Sequence, residues 1–232
     1  MRAILVAAGM GTRLRPLTNT IPKSLVEVNG ISLLERQIIN LKEIGIDEIV
    51  VLTGYLHEKF DNLVKKYNLI KIINDKYDVY NNIYTMYLAR EYLHDAFVID
   101  ADNYINKNFL PNSKPKHSEY YSACKENIVG EWILKYDESD KLYRVDIGKD
   151  GNEPDYIMSG ASYWSEKDGK IIAEKIAQKV EQEEFKDLYW DDIVVENLNN
   201  LDIYVNKIGC NDIFEIDSLE DLEYLKNKLS IK

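Results

Sequence analysis

Short apolar runs alternate with amphipathic segments through the first half of the chain, and this alternation restricts the fold more than any other feature. The four apolar runs, which have the length and composition of buried strands, span residues 3–8, 48–53, 69–74 and 96–100. The segments between them repeat apolar residues at helical spacing over 32–45, 57–67 and 81–94. Three successive strand and helix units predict an α/β fold with a mostly parallel, Rossmann-like sheet flanked by helices.

The second half has a different pattern. Its shorter runs of β-forming residues, separated by charged or glycine-containing turns, span 120–124, 132–136, 142–147 and 156–164. They predict a smaller, partly antiparallel β lobe added to the main sheet. Helical patterns return at 170–183, at 191–198 and from Ser218, with a strand at 201–207 before the last of them. We interpret residues 1–232 as a single domain with two halves, 1–110 and 111–232.

Composition excludes several kinds of partner. The 40 acidic and 29 basic residues give a net charge of −11, which repels nucleic acid and anionic membrane surfaces. The apolar runs are far too short to span a bilayer, and the amino terminus has no cleavage-site pattern, so we expect no membrane insertion and a cytoplasmic location. The two cysteines, Cys124 and Cys210, lack CxxC spacing, and the three histidines are dispersed, so neither a zinc site nor a disulfide framework is predicted.

A glycine-containing loop follows the first strand, with the sequence AAGMGTRLRPLTNTIPKSL over residues 7–25. Ligands of open parallel sheets bind beyond the carboxyl ends of the strands, where this loop lies. Glycines allow backbone N–H groups to approach phosphate oxygens, and the loop supplies positive charge in an acidic chain through Arg13, Arg15 and Lys23. The run lacks the third glycine of GxGxxG and the GK[ST] of a P-loop. A tight turn without a ligand is the alternative for the GxG alone.

The whole run closely resembles the signature of nucleoside-triphosphate transferases that make sugar and alcohol nucleotides. The matching residues are Gly9, Gly11, Thr12, Arg13, Leu14, Pro16, Leu17, Pro22 and Lys23. Further segments, YNN, VIDADNY, EWIL, SG-SYW and LYWDD, resemble the bacterial CTP:phosphocholine cytidylyltransferases of that superfamily. The resemblance implies Mg²⁺-dependent transfer of CMP from CTP to a small phosphorylated amino alcohol, with phosphocholine the leading candidate.

The resemblance also implies roles along the chain. Residues 1–110 would form the nucleotide-binding half, and 111–232 would bind the acceptor and complete the metal site. Lys23 and Arg13 would be the catalytic cations that neutralise the triphosphate. The loop residues that would close over the pyrophosphate are Ala8, Gly9, Gly11 and Thr12.

Paired aspartates end the strand AFVIDAD and are candidates for the metal site. In an extended strand Asp100 and Asp102 project to the same side, and Mg²⁺ takes one or two protein carboxylates besides phosphate and water oxygens. Asp102 is the predicted first ligand; the alternative is that Asp100 braces the loop and Asp102 is solvated. The resemblance favours Asp191 in LYWDD as the second ligand, while capping of a helix is expected for one of Asp191 and Asp192.

Residues for the base and the acceptor come from further along the chain. Asn81 and Asn82 can donate to and accept from a pyrimidine edge, although either can instead cap a helix. A quaternary ammonium donates no ordinary N–H bond and is held by aromatic faces and carboxylates. With the resemblance, we predict a choline site made by Trp132, Tyr189 and Glu215, against the alternative that the tryptophans only pack in the core.

Other interpretations stay open at this stage. A sugar-1-phosphate nucleotidylyltransferase would share the loop and the metal site, and cytidylyltransferases for 2-aminoethylphosphonate or phosphoethanolamine are closer alternatives. A regulatory subunit that binds nucleotide without catalysis is the alternative outside the enzymes, although Lys23 and the aspartates are present. The sequence leaves the oligomeric state open, with a homo-oligomer among the alternatives.

Overall fold

A computed structural model describes residues 1–149 and 153–230. The first half contains β1 (Arg2–Ala7), β2 (Glu27–Val28), β3 (Ile31–Ser32), α1 (Leu33–Glu43), β4 (Ile49–Thr53), α2 (Asp61–Tyr67), β5 (Ile70–Ile73), α3 (Asn82–Leu88), β6 (Ala96–Asp100) and β7 (Asn103–Ile105). The second half contains β8 (Ser118–Lys125), β9 (Trp132–Tyr136), β10 (Leu142–Ile147), β11 (Asp155–Tyr156), β12 (Ala161–Trp164), α4 (Glu166–Glu181), α5 (Trp190–Glu196), β13 (Ile203–Ile208), β14 (Ile213–Glu215) and α6 (Leu219–Ser230).

One mixed sheet organises the molecule. Its strand order is β11-β8-β12-β6-β1-β4-β5, with β13 paired to β8. Strands β6, β1, β4 and β5 run parallel, β12 is antiparallel to both of its neighbours, and β13 is parallel to β8. Small antiparallel pairs β9/β10, β7/β14 and β2/β3 lie outside it. The predicted fold class is confirmed, including the partly antiparallel second half.

Helices cover both faces of this sheet, and the core has a layer on each side. Apolar residues of α3, α4 and α5 pack on one face, and those of α1 pack on the other. A third cluster joins α6 to the loop after β1 through buried Leu14 and Leu225. The helix α1 begins where Ser32 Oγ accepts the Glu35 N–H at 3.1 Å, and the chain leaves it at Gly45, whose φ is 79°.

Several predicted elements differ from the structure in their extent. The helix expected over 170–183 spans Glu166–Glu181, because Ser165 caps it by accepting the Asp168 N–H. The strand expected over 156–164 is divided into β11 and β12, because the chain turns at Gly160, where φ is 69°. The helix expected over 81–94 ends at Leu88 and is followed by a 3₁₀ turn, and the helix expected over 57–67 begins as a 3₁₀ turn. Among the described residues, no helix combines the length and the apolar character needed to cross a bilayer.

Candidate active site

A cleft of about 560 Å³ opens at the carboxyl ends of β1 and β6. Residues from both halves of the chain line it, which fits the interpretation of 1–232 as one domain. The predicted site residues among them are Ala8, Gly9, Gly11, Thr12, Arg13, Lys23, Asn81, Asn82, Asp102, Trp132, Tyr189, Asp191 and Glu215. The structure therefore brings every residue of the predicted site to one surface, although their roles remain predictions.

The loop after β1 folds back on itself beneath this cleft. Gly11 has φ 58°, and a Cβ atom there would lie 2.8 Å from the Lys23 Cβ, so the position requires glycine on both counts. Thr18 Oγ1 donates to the Gly11 carbonyl at 2.7 Å and closes the fold. Around Gly9, by contrast, the space that a Cβ atom would take is open. The first residues of the loop therefore line the cleft, and Lys23 packs against Gly11.

Lys23 lies between two carboxylates. Its Nζ donates to Asp102 Oδ2 at 2.7 Å and also to Asp217 Oδ1, and Arg13 Nη2 lies 2.8 Å from Asp217 Oδ2. Burial alone would lower the pKa of Lys23, but the attraction of Asp102 and Asp217 outweighs it, and the pKa is raised. The lysine is therefore held as a cation at the floor of the cleft, where a triphosphate would need neutralisation.

Asp217 is a site residue that sequence reasoning missed. It follows β14, which pairs antiparallel with β7 so that Glu215 lies opposite Asn103, and this pairing brings it beside Asp102. Burial would raise the pKa of Asp217, yet contact with Lys23 and Arg13 lowers it. The same signal that identified Asp102, a carboxylate just beyond a strand, is present here but follows a strand of only three residues.

Three carboxylates, those of Asp102, Glu215 and Asp217, each offer an oxygen within 4.8 Å of the others. Asp102 Oδ1 is buried and has no hydrogen-bond partner, so one lone pair of the group is unsatisfied. Burial and the nearby charges of Asp102 and Asp217 raise the pKa of Glu215 to about 8, although solvent reaches this side chain through the open cleft. Hard oxygen donors in this number suit a divalent cation such as Mg²⁺ or Ca²⁺, so the cluster can hold one.

A side chain of α1 holds the turn that carries Asp100 and Asp102. Gln37, buried on α1, donates its side-chain amide to the carbonyls of Asp100 at 3.0 Å and Asn103 at 2.8 Å. Asp100 is half-buried, and its pKa is raised well above the usual range by desolvation and by the charges of Asp102, Asp191 and Glu215. Both aspartates line the cleft, and Asp102 is the member of the pair that contacts Lys23.

The two aspartates of LYWDD have separate environments. Asp192 accepts the Tyr189 N–H at 2.7 Å and so caps α5, whereas Asp191 Oδ1 accepts from the Tyr120 hydroxyl at 2.9 Å and lines the cleft. Burial raises the pKa of Asp191 to about 7. Asp191 does not belong to the three-carboxylate cluster found among the described residues, so its role as the second metal ligand stays a prediction.

Asn81 and Asn82 connect the start of α3 to the segment before α5. Asn81 Nδ2 donates to the Asp187 carbonyl at 2.8 Å, and Asn82 Oδ1 accepts the Trp190 N–H at 2.9 Å. Asn81 is the N-cap residue of α3 but its side chain makes no cap bond there, whereas Asn82 accepts the N–H of the first residue of α5. Because each amide keeps further donor or acceptor capacity beside the cleft, both remain candidates for contact with a base.

The aromatic residues divide as the sequence suggested. Trp164 is buried in the core, edge-on to Trp190 at 5.7 Å between ring centroids. Trp132, at the start of β9, and the half-exposed Tyr189 line the cleft, as does Glu215. Two aromatic side chains and a carboxylate of the predicted choline site therefore line the cleft, with Glu215 beside Asp102 and Asp217.

We expect Gly160→Ala to destabilise the fold by at least about 2 kcal/mol, because a Cβ atom there would lie 2.6 Å from Asp100 Oδ2 and 2.6 Å from Asn103 Nδ2. Gly30→Ala is the matched control, since Gly30 also has positive φ, at 79°, but open space around it. It should cost only about 1 kcal/mol. Urea unfolding of both variants tests this, and equal losses would contradict the crowding at Gly160.

The raised pKa of Asp191 predicts a pH-dependent effect of Asp191→Asn. Between about pH 4 and pH 7 the native carboxyl keeps a proton that the unfolded chain has lost, so this group destabilises the fold increasingly as pH rises. The variant should therefore gain stability relative to the parent by about 2 kcal/mol from pH 4 to pH 8. This is half of the free energy that the whole change in pKa would give, because solvent partly screens the charge. Urea unfolding in a chelator measures it, and a difference that is constant with pH would contradict burial of this charge.

A Rossmann-like sheet with a cationic glycine loop and facing carboxylates defines an enzyme of the nucleotide-transferring class. A family model for nucleotidyl transferases matches residues 2–132, and the chain belongs to this family. Its relatives include the choline-phosphate cytidylyltransferase of Streptococcus pneumoniae, 43% identical over 98% of this chain and 100% of the relative. The Haemophilus influenzae protein of that name is 38% identical over 99% and 98% of the two chains. The resemblance seen in the sequence is confirmed.

Other comparisons agree in fold. The solved structure of the CTP:phosphocholine cytidylyltransferase of Streptococcus pneumoniae superposes with a TM-score of 0.94, covering 98% of each chain. A 2-aminoethylphosphonate cytidylyltransferase of Lancefieldella rimae is 34% identical over 95% of this chain and 89% of its own. The inositol-1-phosphate CTP transferase of T. maritima, 19% identical with a TM-score of 0.75, shares the fold.

Proposed function

We propose that this protein transfers CMP from CTP to phosphocholine, giving CDP-choline and pyrophosphate. The observation that carries the proposal is the cleft itself, which holds Lys23 and Arg13 against Asp102 and Asp217 and also carries Trp132. The identity of 43% with a choline-phosphate cytidylyltransferase along nearly the whole chain supports it. A cytoplasmic location stays a prediction from the sequence, and the oligomeric state stays open.

The chain's own residues perform this reaction by positioning and by charge. A phosphate oxygen of phosphocholine attacks the α-phosphorus of CTP in line, and pyrophosphate leaves, so no enzyme nucleophile is needed. Lys23 and Arg13 neutralise the negative charge that accumulates on the phosphates. Gly9 and Gly11 line the cleft, and the N–H groups of the loop backbone would approach the leaving pyrophosphate.

Magnesium is part of the proposal, and the site fits it. Asp102 and Asp217, with Glu215 beside them, would hold the ion, because their oxygens converge and Asp102 Oδ1 lacks a partner. When bound, it would supply further neutralisation of the phosphates. Asp191 remains the ligand predicted from the resemblance, separate from this cluster. Lys23 contacts Asp102 and Asp217, and Arg13 contacts Asp217, so the proposed catalytic cations lie beside the proposed ligands of the ion.

Different residues of the cleft would contact the two substrates. Asn81 and Asn82 are proposed to contact the cytosine. Trp132 and Tyr189 would face the trimethylammonium, with Glu215 as a charge partner. The relative that acts on 2-aminoethylphosphonate supports a second candidate acceptor, whose primary ammonium would ask for hydrogen-bond acceptors instead of aromatic faces.

The experiment is a matrix of pyrophosphate release. Four nucleoside triphosphates are each combined with phosphocholine, phosphoethanolamine, 2-aminoethylphosphonate and glucose-1-phosphate in the presence of Mg²⁺. CTP with phosphocholine should exceed every other combination in kcat/KM. A higher value with 2-aminoethylphosphonate would establish the second candidate, and no release in any combination would leave a nucleotide-binding protein without this activity.

Trp132→Ala should raise the KM for phosphocholine about 2- to 30-fold, the range that loss of one cation–π contact gives, while the KM for CTP stays near the parent value. Trp132→Phe keeps an aromatic face and should recover most of the affinity. The measurement is initial rate against each substrate with the other saturating. An unchanged KM for phosphocholine in Trp132→Ala would exclude Trp132 from the acceptor site.

A further inference from the structure

The two cysteines of the chain, remote in sequence, lie side by side in the fold. Strands β8 and β13 are parallel neighbours, and their register pairs Ala123 with Ile208. One residue further along, Cys124 would lie opposite Gly209, and Cys210 follows. Such a diagonal between adjacent strands corresponds to about 6 Å between Cα atoms, within the range that disulfides span. The chain turns after Ile208, so the Cys210 side chain is not confined to the face opposite Cys124, and a side-chain hydrogen bond joins the two thiols. Both cysteines are free thiols in this structure.

The environment of the thiols agrees with this proximity. The Cys124 thiol is half-buried, and burial followed by its contact and hydrogen bond with Cys210 raises its pKa. Cys210 is exposed in the turn between β13 and β14. Bonds between Gly209 and Asp212, with the Asp212 N–H donating to the Gly209 carbonyl at 2.9 Å, hold that turn in place. The pair thus combines a solvent-accessible sulfur with a protected one beside it.

We propose that Cys124 and Cys210 form a reversible intramolecular disulfide, a redox-sensitive cross-link between β8 and the turn after β13. The oxidant is a peroxide. The accessible Cys210 sulfur attacks one peroxide oxygen, the O–O bond breaks, and a sulfenic acid and water result. The Cys124 sulfur then attacks the Cys210 sulfur, the S–O bond breaks, and a second water carries away the Cys124 proton. Two thiols and one hydrogen peroxide give one disulfide and two waters.

The cross-link would lie between two segments that lead to the cleft. The chain runs from Cys124 toward Trp132 on one side, and from Cys210 toward Glu215 and Asp217 on the other. The disulfide would therefore join the segment that leads to Trp132 to the segment that leads to Glu215 and Asp217. It also closes the long loop between positions 124 and 210, and closing long loops restricts the unfolded chain most.

The test treats the full-length protein with a small excess of hydrogen peroxide. We expect the mass to fall by about 2 Da and the thiols of the denatured protein to fall from two to none. The melting temperature should rise by roughly 5–15 °C and return after dithiothreitol. Cys124→Ser and Cys210→Ser, each with one thiol, are the controls and should show neither the loss of about 2 Da nor the rise in melting temperature that dithiothreitol reverses. Persistence of both thiols, addition of oxygen without a bridge, or a covalent dimer would overturn the proposal.

Discussion

Replacement of Lys23 by alanine is expected to lower kcat for CMP transfer by roughly 10²- to 10³-fold, the usual cost of removing one preorganised electrostatic donor. Lys23 is largely buried at the cleft floor and contacts both Asp102 and Asp217, so its charge is fixed before substrate arrives. In the variant, water molecules would have to reorient during the reaction to stabilise the same charge, and this reorganisation raises the barrier. Pyrophosphate release at saturating CTP, phosphocholine and Mg²⁺ measures the loss.

Lys170→Ala is the matched control for this substitution. Lys170 also forms an ion pair, with Glu166 at 2.6 Å, but it lies on α4 with 61% of its side chain exposed. It should leave turnover unchanged. Because Lys23→Ala leaves Asp102 and Asp217 facing each other without their counter-charge, its fold is verified by thermal unfolding first. Near-normal turnover in the folded variant would remove Lys23 from the mechanism.

The central strands of the sheet could be predicted because they are buried on both faces. In β1, β4 and β6 nearly every residue is buried, so each appears in the sequence as an unbroken apolar run. The strands β7 and β14, of three residues each, are too short to show a period. Their pairing joins residues remote in sequence, such as Asn103 and Glu215. The local sequence pattern could not predict β7 and β14.

The same contrast applies to the site. Asp102 could be identified because it follows a long apolar strand, and Lys23 because it lies in a loop with many matching residues. Asp217 follows β14 and meets Lys23 across 194 positions of sequence, so only the folded chain shows the contact. The proximity of Cys124 and Cys210 likewise arises from the register of β8 and β13. Residue spacing along the sequence could not predict contacts that depend on which strands are neighbours in the second half.

Asp217→Asn is expected to lower kcat/KM by about 10²-fold or more and to raise the Mg²⁺ concentration needed for half-maximal rate. The amide keeps the shape of the side chain but removes the charge that faces Lys23 and Arg13 and contributes to the carboxylate cluster. Asp47→Asn is the control, because Asp47 pairs with Lys42 at 3.0 Å on the surface with 91% of its side chain exposed. Initial rates over a Mg²⁺ titration measure both effects.

Parallel titration of Asp191→Asn decides between the two assignments of the second ligand. If Asp217 completes the site, its variant shifts the Mg²⁺ requirement, whereas Asp191→Asn shifts it little, because Asp191 accepts from Tyr120 outside the cluster. If only Asp191→Asn shifts the requirement, the ligand set inferred from the resemblance holds. In that case Asp217 would act through its contacts with Lys23 and Arg13 alone, as a residue that positions the catalytic cations.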